Sequence, residues 1–118
     1  MKAVYSDQIT RRINMSIVKI TKNNFKEEVL KSNLPVLVEF WATRCGSCRE
    51  MAPVLEILSE EKKGLIKICT INIDEESALA AVYNVLAVPS MMVIQNGEIT
   101  SASTGAKSKE ELLKMLGC

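Results

Sequence analysis

Residues 36–41, Val36-Leu37-Val38-Glu39-Phe40-Trp41, are apolar on both alternating faces apart from one carboxylate. A strand of that kind asks for cover on both sides, which is the condition of a central strand in a layered α/β domain. Its neighbours in sequence supply the other elements. Ile17 to Ile20 is short and β-branched, suited to an edge strand. Asn24 and Glu27 have capping-box spacing, and Phe25, Val29 and Leu30 recur at helical intervals, predicting a helix of about ten residues that Pro35 closes off. A second helix is expected from Ser47 to Lys63, with Val54, Leu55 and Leu58 facing inward and Pro53 kinking it.

Further along, Leu65 to Asn72 reads as a buried strand, and Asp74 to Tyr83 as a helix anchored by Leu79 and Val82. Ser90 to Ile94 reads as a strand, and Asn96-Gly97 is a strong hairpin signal that returns Glu98 to Thr104 antiparallel. Ser108 and Glu111 form a second capping box, with Leu112, Leu113 and Leu116 directed to the core. The order β-α-β-α-β-α-β-β-α predicts an α/β fold. Its central mixed sheet has a parallel core plus a C-terminal hairpin, with helices on both faces. One domain over residues 17–118 is expected. It follows an extension over residues 1–16, of which 1–14 are the candidates for poor order.

Composition narrows the function classes. Fifteen basic and fourteen acidic residues leave a net charge of +1, with no basic excess to attract nucleic acid. No run of about 18 uncharged apolar residues exists to span a membrane. The segment Met1–Ser16 carries Lys2, Asp7, Arg11 and Arg12 and lacks a continuous apolar stretch. No secretory signal is therefore expected, and the cytoplasm is the default compartment. The chain has no histidine, which removes Ser–His and Cys–His catalysis and most catalytic zinc sites.

Four cysteines remain, Cys45, Cys48, Cys69 and Cys118. Without a secretory signal, the C-x-x-C pair reads as redox-active or metal-binding rather than as part of a disulfide framework. Its context favours redox. It follows the central strand directly and opens a helix, so Cys45 lies where free backbone N–H groups and the positive dipole end favour a thiolate. The thiolate is the nucleophilic form. Cys48 sits one turn in, and Arg44 and Arg49 flank the pair as ordinary solvated arginines or as further support for the thiolate. Glu39 is a carboxylate on an otherwise apolar strand, so desolvation should raise its pKa. Cys69 reads as a small buried hydrophobe and Cys118 as an exposed thiol. As four zinc ligands these cysteines fit poorly, because no second C-x-x-C exists.

The segment Phe40-Trp41-Ala42-Thr43-Arg44-Cys45-Gly46-Ser47-Cys48-Arg49 resembles the F-W-A approach and W-C-G-P-C-K site of the thioredoxin family. Pro53, Asn72-Ile73-Asp74, Val88-Pro89-Ser90, Asn96-Gly97 and Gly105 match further family positions, so the resemblance runs from about residue 17 to 117. It implies the thioredoxin fold and a dithiol–disulfide oxidoreductase. In that scheme Cys45 attacks a substrate disulfide and Cys48 resolves the mixed disulfide. Glu39 stands at the family's buried aspartate and would exchange a proton with Cys48. Thr70 stands where the family has a partner lysine. The resemblance also implies a cis peptide at Pro89 and backbone hydrogen bonds to substrate at Val88. Trp41, Gly46, Ser47 and Gly105 complete the implied substrate-binding set. Ser47 replaces the usual proline, and the pair is expected to be less reducing as a result. Arg44 replaces a second tryptophan.

The implied partners are disulfide-containing proteins and a flavin-containing thioredoxin reductase, linked to NADPH or ferredoxin. The protein itself is expected to be a monomer with no cofactor or metal. The alternatives to a reductase are a thiol oxidase or isomerase and a non-catalytic binding module on the same fold.

Overall fold

The computed structural model describes residues 17–118, so the expected extension over residues 1–16 lies outside the described residues. Strands β1 (Ile17–Lys19), β2 (Val36–Trp41), β3 (Lys67–Asn72), β4 (Ser90–Gln95) and β5 (Glu98–Thr104) form one sheet in the order β1-β3-β2-β4-β5. The pairs β1/β3 and β2/β3 are parallel, while β2/β4 and β4/β5 are antiparallel. This is the expected mixed sheet, and β2 is its middle strand.

The alternation of β2 sends its side chains into two separate cores. Val36, Val38 and Phe40 pack with Phe25, Val29, Cys69 and Ile71 on one face. Leu37 packs on the other face with Met51, Leu55 and Leu58 of helix α1 (Gly46–Glu61), and with Leu112 and Leu116 of helix α3 (Lys109–Leu116). Each face thus removes large apolar side chains from water, at roughly 1.5–3 kcal/mol for each fully buried one. Helix α2 (Ser77–Val82) and a short segment at Lys26–Leu30 cover the first face.

The predicted Asn24–Glu27 capping box does not form. Asn24 turns back instead: its Oδ1 accepts the Thr21 N–H at 2.8 Å and its amide donates to the Lys19 carbonyl at 3.0 Å. Glu27 pairs with Lys31 at 3.1 Å. The expected ten-residue helix shrinks to one π-helical turn, Lys26–Leu30, in which the Lys31 N–H reaches the Lys26 carbonyl five residues back.

The helix expected from Asp74 starts only at Ser77. Asn72 Oδ1 accepts the N–H groups of Asp74 and Glu75 at 2.8 and 3.3 Å, holding those residues in a turn. Leu79, Ala80 and Tyr83 face the core, whereas Val82 projects away from that face and is 74% exposed, so it is no anchor. Leu65 is also exposed, and β3 begins two residues later. Pro53 lies inside α1 as expected. The Ser108–Glu111 capping box is present in full, and Gly117 ends α3 in the left-handed conformation. Asn96 and Gly97 both take positive φ, as the two-residue turn joining β4 to β5 requires.

Candidate active site

Strand β2 runs out at Trp41, and three residues, Ala42 to Arg44, lead to Cys45, the N-cap of α1. Cys45 has extended backbone angles (φ −139°, ψ 103°), and its Sγ accepts the Cys48 N–H at 3.2 Å. The sulfur thus caps the helix, where an oxygen-bearing side chain usually sits. Cys48 lies within the first turn, and the two Cα atoms are 5.2 Å apart, joined by a disulfide. Both cysteines are nearly buried, Cys48 more so. Gly46 and Ser47 between them are exposed, and the Ser47 hydroxyl lies 3.6 Å from Cys45 Sγ. An added Cβ at Gly46 would meet nothing within 4 Å, so this position is open to an approaching chain.

The sheet register gathers the other predicted residues at the same end. Phe40 of β2 lies opposite Ser90 of β4, and Ser90 lies opposite Thr104 of β5. Pro89 and Gly105, one residue beyond these ladder positions, therefore sit beside the strand end that feeds Cys45. The Val88–Pro89 peptide is cis, and the Pro89 carbonyl accepts the Gly105 N–H at 2.8 Å. Gly105 has φ +97°, a conformation that other residues adopt only with strain. The same loop is tied to α1 where the Lys107 N–H meets Met51 Sδ at 3.2 Å.

Glu39 shares a cleft with Cys48. It is 4% exposed, and its Oε2 has no hydrogen-bond partner among the described residues. Thr70 is its neighbour on β3 and Met91 its neighbour on β4. Burial pushes the carboxyl up to about 7 from 4.5. Glu39 and Cys48 both line a cleft of about 450 Å³, with Trp41, Ala52, Leu55, Ile17 and Thr70 among its other walls. Trp41 is half-buried there, and its carbonyl accepts the Ile73 N–H. Two cations reach the rim already engaged: Lys19 pairs with Glu75 at 3.2 Å, and Arg49 donates to the Thr43 carbonyl at 3.3 Å.

Sequence reasoning missed the braces on the loop before Cys45. Asp74 Oδ2 accepts the Thr43 N–H at 3.2 Å, and the Asn72 side-chain amide donates to Thr43 Oγ1 at 3.3 Å. A threonine in a loop facing an Asn-x-Asp at a strand end is the available signal, since these side chains readily bond nearby backbone. Arg49 also acts as a brace, bonded to a carbonyl of this loop.

The remaining cysteines stand apart. Cys69 is fully buried in the core on the opposite face of the sheet, and its thiol is pushed up to about 12, chiefly by that burial. Cys118 is exposed and forms no disulfide. Among the described residues, no three His, Cys, Asp or Glu side chains converge as a metal site.

A family model described as Thioredoxin matches residues 16–117. The chain belongs to the thioredoxin family. It is 46% identical to a thioredoxin of Streptomyces clavuligerus over 95 residues, covering 80% of this chain and 88% of that protein. To a thioredoxin of Pyropia yezoensis it is 40% identical over 102 residues, 86% of this chain and 95% of that one. To one of Rickettsia felis it is 40% identical over 94 residues, 80% and 90% of the two chains. Family membership and the bonded Cys45–Cys48 pair make the protein a dithiol–disulfide oxidoreductase. Thioredoxin chemistry implies disulfide substrates and a reductase partner. No helix among the described residues is long and apolar enough to cross a membrane.

Proposed function

We propose that this member of the thioredoxin family works as a reductant of protein disulfides. Cys45 is the attacking thiolate, Cys48 the resolving thiol and Glu39 the group that handles its proton. The observation that carries the assignment is the placement of Cys45 Sγ as the N-cap of α1, accepting the Cys48 N–H at 3.2 Å. Negative charge on that sulfur meets the Cys48 N–H, which it satisfies, and the positive end of the helix.

The electrons balance in two exchanges. Cys45 thiolate attacks one substrate sulfur, forming a mixed disulfide and expelling the other substrate sulfur as thiolate. Cys48, deprotonated with help from Glu39, then attacks Cys45 Sγ and releases the second substrate thiolate. The protein ends as the Cys45–Cys48 disulfide and the substrate has gained two electrons. Glu39 suits the second exchange because a carboxyl near 7 both accepts and returns a proton around neutral pH. Val88, with the cis-Pro89 bond, Gly46 and Gly105 form the rim on which an extended substrate segment lies, and Trp41 backs the disulfide. A flavin-containing thioredoxin reductase in the cytoplasm returns the disulfide to the dithiol, and the protein acts as a monomer.

The test is the redox equilibrium of the pair in glutathione buffers of graded poise, with thiols trapped and counted by mass. One two-electron transition at reducing poise supports the reductant. A transition at oxidising poise moves the protein to the oxidase or isomerase reading, and no reversible couple between Cys45 and Cys48 would sink both.

A further inference from the structure

The cleft beside Cys48 contains an atom whose bonding the fold leaves incomplete. Glu39 Oε2 is buried and accepts no hydrogen bond from any described residue. A buried polar oxygen without a partner is costly, and an ionised one more so. Desolvation lifts the Glu39 carboxyl to about 7, and no neighbouring cation among the described residues offsets it. The two cations of the cleft wall are engaged elsewhere, Lys19 with Glu75 and Arg49 with the Thr43 carbonyl. The cavity around this carboxyl has about 450 Å³, within the range of small-molecule sites. Ile17, Trp41, Ala52 and Leu55 give it apolar walls. Gly46, Val88 and Gly105, the rim assigned above to a substrate segment, are not among those walls.

We infer that this cleft binds a slender aliphatic primary amine, with its ammonium on the Glu39 carboxylate and its hydrocarbon against Trp41, Ala52 and Leu55. The inference goes beyond disulfide exchange and does not depend on which thiol attacks. An ammonium is a compact donor of three hydrogen bonds, and its bond to a carboxylate is roughly twice as strong as a neutral one. A neutral alcohol of the same length would fill the same walls and supply only the weaker bond. No covalent bond forms or breaks, but below about 7 the carboxyl must first release its proton. Affinity therefore rises with pH through about 7. It falls again near about 10, where an alkylammonium loses its own proton. Lys19 of β1 and Arg49 and Glu56 of α1 are the other charged groups lining the cleft, and both variants used below keep them.

The experiment titrates the oxidised full-length protein with n-butylammonium chloride at pH 8 and constant ionic strength. In that form Cys48 is disulfide-bonded and does not titrate. Trp41 is the single tryptophan of the chain and lines the cleft, so its fluorescence reports occupancy. Amide NMR shifts of Glu39, Ala52 and Thr70 give a second signal. Saturation is expected with a dissociation constant on the order of 1 mM, as suits so small a ligand. n-Butanol should bind at least about tenfold more weakly. At pH 6 the amine should also bind about tenfold more weakly, because a carboxyl near 7 is then mostly protonated.

Glu39→Gln removes the charge, and Ala52→Leu fills the cleft from an exposed position on α1. Each should weaken amine binding at least about tenfold. Absence of saturation in both signals overturns the inference. So does n-butanol binding as tightly as the amine, or an affinity equal at pH 6 and pH 8, since either would make the carboxylate irrelevant. Wild-type affinity in Glu39→Gln or in Ala52→Leu would place the amine outside the cleft and overturn it too.

Discussion

Strands β2 and β3 hold two adjacent pairs of residues with opposite fates. Val38 faces Cys69, and one step along, Glu39 faces Thr70. The first pair points into the core with Phe25 and Phe40, and the Cys69 thiol there is held far from ionisation. The second points under α1, into a cleft that it shares with Cys48. The period of two along a strand is enough to separate inert chemistry from active chemistry. Cys69 lies in an apolar core, where burial outweighs the opposing charges of nearby Lys67 and Glu28 and pushes its thiol up. The Cys45–Cys48 pair instead sits at a helix end that supplies N–H groups, and Cys48 shares its cleft with a carboxyl.

The sharpest way to break this comparison is to remove one cysteine from each side. Cys45→Ser should lower the rate of disulfide reduction by about a thousandfold or more, because a serine oxygen can form neither the mixed disulfide nor the bond to Cys48. Cys69→Ala should leave that rate within about twofold and cost about 1–2 kcal/mol of stability for the methyl-sized gap it opens. Insulin reduction and urea unfolding measure the two effects. A large rate loss in Cys69→Ala would mean that the two faces communicate.

Glu39→Gln tests the active side alone. The rate of mixed-disulfide resolution should fall about a hundredfold, the low end for loss of a general base. Stability should change in the opposite sense. The native carboxyl holds its proton up to about 7, while the unfolded chain gives it up near 4.5. Between those values the native state binds more protons, so the wild type is most stable below 4.5 and loses about 1.4 kcal/mol per pH unit up to about 7. Glutamine removes that slope. At pH 8 the variant should be more stable than wild type by about 3 kcal/mol, and at pH 4 the two should converge. A wild-type unfolding free energy that stays flat from pH 4.5 to 7 would show Glu39 to be solvated.

Most of the sheet was legible because each face of β2, β3 and β4 obeys the same alternation that the residues display. The cysteine pair was legible because its spacing, the preceding strand and the following helix agree. The braces on Thr43 were not, because they join residues 29 and 31 positions apart and no periodicity reports such a contact. The lengths of the helical segments were misread for a local reason. Asn24 and Asn72 both spend their side chains on neighbouring backbone, one backward toward β1 and one forward into a turn. Each delays or shortens the helix that apolar spacing alone predicts.

Two sequences with the same capping signature, Asn24-x-x-Glu27 and Ser108-x-x-Glu111, extend the comparison to helix ends. Only the second closes. Ser108 Oγ accepts the Glu111 N–H at 3.1 Å, and Glu111 returns to the Ser108 N–H at 2.9 Å, which holds its carboxyl below the usual range. Asn24 had a competing offer in the Thr21 N–H and the Lys19 carbonyl, both within its reach because β1 ends beside it. Nothing comparable precedes Ser108, where Lys107 gives its N–H to Met51 instead. Ser108→Ala should therefore cost about 1 kcal/mol in urea unfolding, the usual value of a lost N-cap. Glu27→Ala should cost only a few tenths, the value of an exposed i,i+4 pair. Equal losses in the two variants would mean that Glu27 does cap its helix in solution, and the backward turn of Asn24 would then not hold.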